Sequence, residues 1–200
     1  MFAYDWASGF VSPFFGKDGE AFATPDLVID RLLSLVSAGY MKDDPRPLLV
    51  DLGSGDGRIV LAAARRRIRA HGVELDHSLV EASRRAAQAE GLDCTFDESS
   101  LLEAQFPTNA DLIAYLLPGA LTKLAAHLRH IGHTGRLFAL RFSCSDLEPV
   151  CHARHPLLQE TDQAASPAGA AWVAYEYHPQ RMASEAFTDV LPLRRATLPP

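Results

Sequence analysis

VDLGSGDGRIV, residues 50–60, is the part of this chain that most strongly indicates its fold. The apolar run Leu48–Leu52 leads into it, and Arg58–Arg67, which has the apolar spacing of a helix, follows. Three glycines stand between these segments: Gly53, Gly55 and Gly57. Glycine permits positive φ angles and a close approach of ligand to backbone, although it costs about 1 kcal/mol in regular structure. The stretch therefore predicts a strand that turns sharply into a helix around a bound ligand.

Two aspartates, Asp51 and Asp56, bracket the loop and bear on the charge of that ligand. A dinucleotide fingerprint reads G-x-G-x-x-G and directs helix N–H groups at a pyrophosphate, but here the third glycine comes one residue early. A pyrophosphate is a poor ligand beside two carboxylates, whereas a ligand with an ammonium and a sulfonium suits them. We therefore expect a cationic cofactor to contact Asp51 and the loop residues Gly53, Ser54, Gly55, Asp56 and Gly57.

An acid at the end of the second predicted strand supports a nucleoside cofactor. In folds of this kind such an acid, about 20 residues beyond the glycines, bonds the ribose hydroxyls. Glu74 occupies this position, while Asp76 and His77 fit the N-terminal cap of the following helix. An acid at this position disfavours a 2′-phosphate and hence NADP as the cofactor. NAD stays a less favoured alternative.

The distribution of apolar residues predicts an α/β fold with alternating strands and helices. Predicted strands are Leu48–Leu52, Ala70–Leu75, Cys94–Asp97, Asp111–Leu116, Arg136–Phe142, Val150–Leu157 and Ala171–Tyr177. Predicted helices are Leu27–Val36, Arg58–Arg67, Ser78–Glu90 and Leu121–His130. This order predicts a seven-stranded, mostly parallel sheet with helices on both faces, and an antiparallel hairpin made by the last two strands.

Size and composition limit the classes of function. The chain has 200 residues, 48% of them hydrophobic, and a net charge of −6, which gives no electrostatic footprint for nucleic acid. No apolar run approaches the roughly 20 residues that span a bilayer. The first twenty residues do not have the pattern of a secretory signal or of a transit peptide. We therefore expect a cytoplasmic protein without a membrane span. His127, His130 and His133 lack nearby carboxylate or thiolate ligands, so we expect no metal site.

The D-x-G-x-G-x-G pattern from Asp51 to Gly57 resembles motif I of the class I S-adenosylmethionine-dependent methyltransferases. The longer string DLGSGDGRIVLAAARR, with TPDLVIDRLLSLV before it and AYLLPGALTKL after it, is similar to a narrower family. These are the small single-domain lysine methyltransferases related to those that modify the adenine nucleotide translocase and the ATP synthase c-subunit, with their bacterial relatives. The resemblance extends from Phe22 to Phe142 and implies a Rossmann-like fold that binds S-adenosylmethionine and releases S-adenosylhomocysteine.

The resemblance also implies roles for residues outside the glycine loop. Phe22, Ala23 and Thr24 are expected near the methionine part of the cofactor, and Tyr115 to Pro118 at the reaction centre. Tyr115 is a candidate positioning residue, although a tyrosine of the core is an equally good interpretation, and Pro118 lines the same pocket.

Two departures from the family pattern leave alternatives open. The family has P-Y-V-P before the leading helix, where this chain has Glu20-Ala21-Phe22-Ala23, so the substrate-side lid differs. Many class I members place an acid after the third strand to receive the adenine amino group, and here Ser100 takes that place. Either Ser100 or Glu98 could make this contact.

The aromatic-rich residues 1–24 are expected to form an N-terminal arm, which packs on its own core, covers the ligand or contacts a second copy. Residues 25–179 are predicted to form the methyltransferase domain, and residues 180–200 a tail. The expected activity is methyl transfer from S-adenosylmethionine to a protein lysine amine. The alternatives are methylation of a small molecule, and a non-catalytic cofactor-binding protein with a regulatory or assembly role. Methylation of nucleic acid is disfavoured because the N-P-P-aromatic signature is missing at Tyr115–Pro118.

Overall fold

The computed structural model describes residues 4–5, 10–11, 24–38, 47–144, 151–158 and 172–179. In chain order the elements are β1 (Tyr4–Asp5), β2 (Phe10–Val11), α1 (Asp26–Ala38), β3 (Leu49–Leu52), α2 (Arg58–Arg65), β4 (Ala70–Glu74), α3 (His77–Glu90), β5 (Cys94–Glu98), β6 (Asp111–Ala114), α4 (Pro118–His130), β7 (Leu137–Leu140), β8 (Cys151–Pro156) and β9 (Val173–Tyr177). β1 and β2 form a small antiparallel ribbon. Every predicted strand and helix is present, with bounds that differ by a few residues.

The seven strands β3 to β9 form one sheet in the order β5-β4-β3-β6-β7-β9-β8. The strands from β5 across to β7 are parallel. β9 runs antiparallel both to β7 and to β8. The predicted mostly parallel sheet with an antiparallel C-terminal hairpin is therefore confirmed.

Helices cover both faces of this sheet, as predicted. On β3, Leu49 packs in one buried cluster with residues of α1, α2 and α3, while Val50 and Leu52 pack in a second cluster with α4. Successive strand residues point to opposite faces, so β3, in which all four residues are buried, serves two cores at once. This explains why the central strand shows no alternation of polar and apolar residues.

Side-chain and proline signals set the starts of two helices. The Asp76 carboxylate accepts from the amides of Ser78 and Leu79 and caps α3, as the sequence predicts. α4 begins at Pro118 rather than at the predicted Leu121, because a proline at the first helical position leaves no amide unsatisfied.

The strand order reverses between β3 and β6, since β3 continues to β4 on one side and β6 continues to β7 on the other. In open α/β sheets ligands bind at the carboxyl ends of the strands at such a switch point. Because β9 is antiparallel to its neighbour β7, the residue before β9, Trp172, lies at the same edge. We call this the carboxyl edge of the sheet.

Some predictions fall on residues outside the described ranges. These are the lid or packing role of the N-terminal arm, the role of Phe22 and the order of the 180–200 tail, which stay predictions. Among the described helices, none is long and apolar enough to cross a membrane.

Candidate functional site

The glycine loop after β3 is held by backbone hydrogen bonds to the neighbouring strand. The amides of Gly53 and Ser54 both donate to the carbonyl of Val73, at 2.8 and 3.0 Å. The loop glycines all have positive φ, with +83° at Gly53, +55° at Gly55 and +75° at Gly57. The loop therefore adopts a backbone that other residues take only with strain.

Gly55 and Gly57 have different reasons to lack a side chain. A Cβ on Gly57 would lie 2.6 Å from Ser83 Oγ and 2.8 Å from Phe96 Cε1, so this glycine lets α3 and β5 pack against the loop. A Cβ on Gly55 would meet no atom of the described residues within 4 Å. Gly55 therefore faces open space, where a ligand can approach the backbone.

Glu74 at the end of β4 is bonded directly to this loop. Its Oε2 accepts from the amide of Gly55 at 2.9 Å, and its Oε1 accepts from the amides of Leu75 and Asp76 at 2.8 and 3.0 Å. A carboxylate offers about four acceptor positions, so these three bonds leave capacity for a ligand hydroxyl. The contact of Glu74 with ribose stays a prediction, and the geometry fits it.

Asp51, the last-but-one residue of β3, is a buried carboxyl with only 4% of its surface exposed. Burial, followed by the nearby charges of Glu74 and Asp56, raises the pKa of Asp51 to about 7. Within the described ranges no cation lies at ion-pair distance from Asp51. A bound cation would favour the ionised form, so the site fits a positively charged ligand.

Asp56 has a partner of its own and differs in this from Asp51. Arg58 Nε donates to both carboxylate oxygens of Asp56, at 2.9 and 3.0 Å. Partial burial raises the pKa of Asp56, but the hydrogen bonds and charge of Arg58 outweigh burial and lower it overall. Arg58 Nη1 also donates to the carbonyl of the buried Thr24, at 3.3 Å. Arg58, at the start of α2, therefore joins Asp56 to the segment before α1, and the contact of Asp56 with the cofactor stays a prediction.

Ser54 supplies an unsatisfied polar atom at the same place. The residue is buried, with 6% exposed, and its hydroxyl has no hydrogen-bond partner among the described residues. Ser54 Oγ lies 2.8 Å from where a Cβ on Gly72 would be, so Gly72 makes room for it. An unpaired hydroxyl, an open glycine and a buried unpaired carboxyl together fit a cofactor that carries hydroxyl groups and positive charge.

The two candidates for the adenine contact lie on and just after β5. The Glu98 carboxylate is exposed and bonds His77 Nδ1 at 2.7 Å. This bond raises the pKa of His77 above its usual value. Ser100 Oγ accepts from the amide of Leu102 at 3.4 Å. The choice between Glu98 and Ser100 stays open.

The segment after β6 continues the site from the cofactor loop toward β7. Leu116 Cδ2 lies 3.6 Å from the Cβ position of Gly53, which joins the two segments. The half-buried ring of Tyr115 stacks on Phe142, with centroids 6.2 Å apart, and meets Trp172 edge-on at 5.4 Å. Its hydroxyl accepts from Arg141 Nη1 at 3.1 Å. Tyr115 is therefore part of an aromatic cluster at the carboxyl edge, whereas Pro118 is exposed and begins α4.

Sequence reasoning missed Arg58 and Arg141. Arg58 could be recognised by its position two residues after an acid in the loop, and Arg141 by its position directly after an apolar strand whose carboxyl end faces the site. In the part of the chain that the structure describes, no group of histidine, cysteine or acidic residues could hold a metal ion.

Residues 51–151 match the protein family described as the ANTKMT methyltransferase domain. The human (Homo sapiens) lysine N-methyltransferase of the ATP synthase c-subunit is 38% identical over 100 residues, which are 48% of this chain and 43% of that protein. The protein of the same name from Caenorhabditis elegans is 29% identical over 116 residues, 57% of this chain and 60% of that one. The chain thus matches about half the length of these curated relatives.

Two solved structures show the same architecture. One, described as an RNA methyltransferase from Salinibacter ruber in complex with S-adenosylhomocysteine, is 27% identical with a TM-score of 0.60 and covers 80% of this chain and 95% of its own. The magnesium protoporphyrin IX methyltransferase from Synechocystis with bound S-adenosylmethionine is 17% identical with a TM-score of 0.56, over 75% of this chain and 77% of its own. At 17% identity the second comparison supports the fold alone.

Proposed function

The chain belongs to the family described as the ANTKMT methyltransferase domain, and we propose that it transfers methyl groups from S-adenosylmethionine to a lysine amine of a protein. The observation that carries this proposal is the arrangement at the switch point of the sheet. There the open Gly55 is bonded to Glu74 at 2.9 Å, beside the buried Asp51 that has no described cation partner. The curated relatives, named as lysine N-methyltransferases, support the choice of acceptor.

When bound, S-adenosylmethionine supplies a methyl group on a sulfonium, which is already a good leaving group. The residues of the site then have to bind and orient rather than form a covalent intermediate. Glu74 would accept hydrogen bonds from hydroxyl groups of the ligand, and Ser54 would donate one. The carboxylate of Asp51 would offset the positive charge of the ligand. Gly55 would let the backbone approach the ligand.

The acceptor amine must be neutral to attack carbon, so a lysine has to lose a proton first. An environment of low polarity lowers the pKa of an ammonium group. The aromatic cluster of Tyr115, Phe142 and Trp172 would provide this environment at the carboxyl edge. The Tyr115 hydroxyl would orient the amine, since its oxygen is held by Arg141 at 3.1 Å.

RNA is the second acceptor class, because the structure from Salinibacter ruber is described as an RNA methyltransferase. The net charge of −6 opposes it, since phosphate backbones bind to clustered cations. Small-molecule methylation and cofactor binding without turnover are the remaining alternatives. The cytoplasmic location stays a prediction.

The test has two stages. Calorimetric titration with S-adenosylmethionine and, separately, with NAD should give micromolar binding of the first alone, and binding of NAD alone would overturn the proposal. A labelled-methyl assay on cell extract should then give label that protease removes and ribonuclease does not. Label that ribonuclease removes, label in the small-molecule fraction, or binding without any transfer would each contradict lysine methylation. Acid hydrolysis of the labelled protein should yield methyl-lysine.

A further inference from the structure

Arg141 has an unfavourable backbone conformation directly after β7. Its φ is +67°, in the left-handed region where residues with a Cβ are strained. The amide of Phe142 donates to the carbonyl of Leu140 at 2.8 Å, which closes a γ-turn around Arg141. A γ-turn with positive φ is rare and strained. Glycine would take this position without strain, so the arginine side chain is the feature to explain.

Contacts on two sides fix the position of Arg141. Its amide donates to the carbonyl of Val173 at 2.7 Å, which ties the turn to β9. Its Nη1 donates to the Tyr115 hydroxyl at 3.1 Å, and its Cζ lies 5.7 Å from the centre of the Trp172 ring. The guanidinium therefore lies within the aromatic cluster at the carboxyl edge.

Arg141 is a half-buried cation, unlike the exposed arginines of the described ranges, whose charge water can solvate. Two other half-buried arginines, Arg58 and Arg136, each form an ion pair with a carboxylate. The half-buried Arg141 has no carboxylate within ion-pair distance in the described ranges, and its described side-chain hydrogen bond is the one to Tyr115. A guanidinium carries five N–H donors, and partly buried charges are normally paired. Donors are therefore left for an anionic group of a ligand.

We propose that Arg141 binds a carboxylate at the carboxyl edge, supplied by an acidic residue next to the acceptor lysine. This proposal rests on the proposed lysine methylation and adds a substrate preference to it. The planar fork of an arginine matches a carboxylate with two parallel hydrogen bonds. The carboxylate of S-adenosylmethionine is the other group that Arg141 could bind in this way. The acceptor is favoured because Arg141 follows β7, two strands from the cofactor loop, on the side away from Glu74.

The first experiment tests the cofactor as the source. Calorimetry compares the binding of S-adenosylmethionine and of its decarboxylated form to the wild type and to Arg141→Gln. We expect the affinity of both compounds to change less than about twofold in the variant. A loss of about tenfold or more for S-adenosylmethionine alone would assign the bound carboxylate to the cofactor and overturn the acceptor as its source.

The second experiment tests the acceptor without requiring turnover. Two fluorescent peptides carry one lysine flanked on each side by two glutamates or by two glutamines, and their binding to the protein loaded with S-adenosylhomocysteine is measured by anisotropy. We expect the wild type to bind the glutamate peptide about tenfold more tightly, Arg141→Gln to bind both equally, and Arg141→Lys to fall between them. Equal binding of the two peptides by the wild type, with unchanged cofactor affinity in Arg141→Gln, overturns the proposal.

Two control variants show whether an effect on peptide binding comes from Arg141 itself, from the loss of any positive charge or from a change in stability. Arg154→Gln removes an exposed cation that lies over the Tyr175 ring, 5.8 Å away, and should keep the peptide preference. Arg67 is exposed with a φ of +59°, so Arg67→Gly relieves similar strain away from the site. Arg141→Gly and Arg67→Gly should both unfold at temperatures no lower than the wild type, while only the former loses the preference. A lower unfolding temperature in Arg141→Gly alone would make Arg141 a structural residue and overturn the proposal.

Failure of this proposal can be distinguished from failure of the proposed function. The peptide preference is a property of binding, whereas lysine methylation is identified by the labelled product of the wild type. A wild type that labels lysine but shows no dependence on Arg141 in either experiment contradicts only the role of Arg141.

Discussion

The amide of Gly55 donates to the carboxylate of Glu74 at 2.9 Å, across 19 positions of sequence. This bond joins the loop after β3 to the end of β4, so the open glycine and the acid form one unit. The same carboxylate also fixes the amides of Leu75 and Asp76, which lead into the capped start of α3. A change at Glu74 should therefore affect both the shape of the loop and its contact with a ligand.

We expect Glu74→Gln to bind S-adenosylmethionine about 10- to 100-fold more weakly, because hydrogen bonds to a charged acceptor contribute about 1.5–3 kcal/mol. Calorimetry measures this change. Glu103→Gln, which alters an exposed acid on the segment after β5, is the matched control and should bind like the wild type. Wild-type affinity in Glu74→Gln would remove Glu74 from the cofactor site.

Gly57→Ala should destabilise the fold strongly. It adds a Cβ 2.6 Å from Ser83 Oγ at a φ of +75°, and overpacking together with left-handed strain costs about 2–5 kcal/mol. Gly91→Ala is the control, since its φ is +63° but its Cβ would meet nothing within 4 Å in the part of the chain that the structure describes, so only about 1–2 kcal/mol of strain is expected. Urea denaturation measures the free energies of unfolding, and equal losses in the two variants would contradict the packing role of Gly57.

Gly55→Ala should separate binding from stability. Its Cβ also has open space, at a φ of +55°, so its stability loss should match that of Gly91→Ala. If the ligand approaches the backbone at Gly55, the affinity for S-adenosylmethionine should fall about tenfold or more, as for a loss of at least about 1.4 kcal/mol. Gly91→Ala should bind normally. Similar affinities in both variants would place the ligand away from Gly55.

The raised pKa of Asp51 predicts how stability depends on pH without a ligand. Its pKa is about 7 in the folded chain, against an ordinary value of 3.8. Between these values the folded chain holds a proton that the unfolded chain has lost, so this group makes the fold less stable as the pH rises from about 4 to about 7. Asp51→Asn cannot ionise, and its unfolding temperature relative to the wild type should therefore increase over this range. A constant difference between the two would contradict the raised pKa.

Cofactor affinity should have the opposite dependence on pH. A cationic ligand favours the ionised form of Asp51, and with a pKa of about 7 the wild type should bind S-adenosylmethionine about tenfold more weakly at pH 6 than at pH 7.5. Calorimetry at the two values tests this expectation. Asp51→Asn should bind more weakly and lose most of this pH dependence. If the variant keeps the dependence, another group is responsible for it.

Tyr115→Phe tests the reaction side of the site. The variant keeps the ring contacts with Phe142 and Trp172 but loses the hydroxyl that accepts from Arg141. We expect the turnover rate to fall about 3- to 10-fold, the equivalent of one hydrogen bond, with unchanged affinity for S-adenosylmethionine. Tyr175→Phe, on β9, is the control and should keep full activity. Unchanged turnover in Tyr115→Phe would leave Tyr115 as a residue of the core.

Much of the fold could be predicted because its signals are local. Runs of apolar residues mark the strands, and the glycine pattern marks the turn into α2, so every predicted element is present with small shifts of its ends. The shift at β7 has a specific cause, since the predicted strand reaches Phe142 whereas the γ-turn at Arg141 ends it at Leu140. The sequence pattern alone does not reveal this turn, because arginine is an unusual residue for a positive φ.

The amino-acid sequence alone was enough to predict the α/β class and the mostly parallel sheet with its hairpin. It also singled out the motif residues from Asp51 to Gly57 with Glu74, whose contacts with a cofactor stay predictions. It did not distinguish the two acids of the loop, because the burial of Asp51 depends on how strands and helices pack around it. Asp56 bonds Arg58, which is only two positions away, whereas the tertiary structure leaves Asp51 buried beside Glu74. It also brought Arg141 to Tyr115, 26 positions away, since strand order and backbone turns, rather than distance along the chain, set which side chains meet at the carboxyl edge.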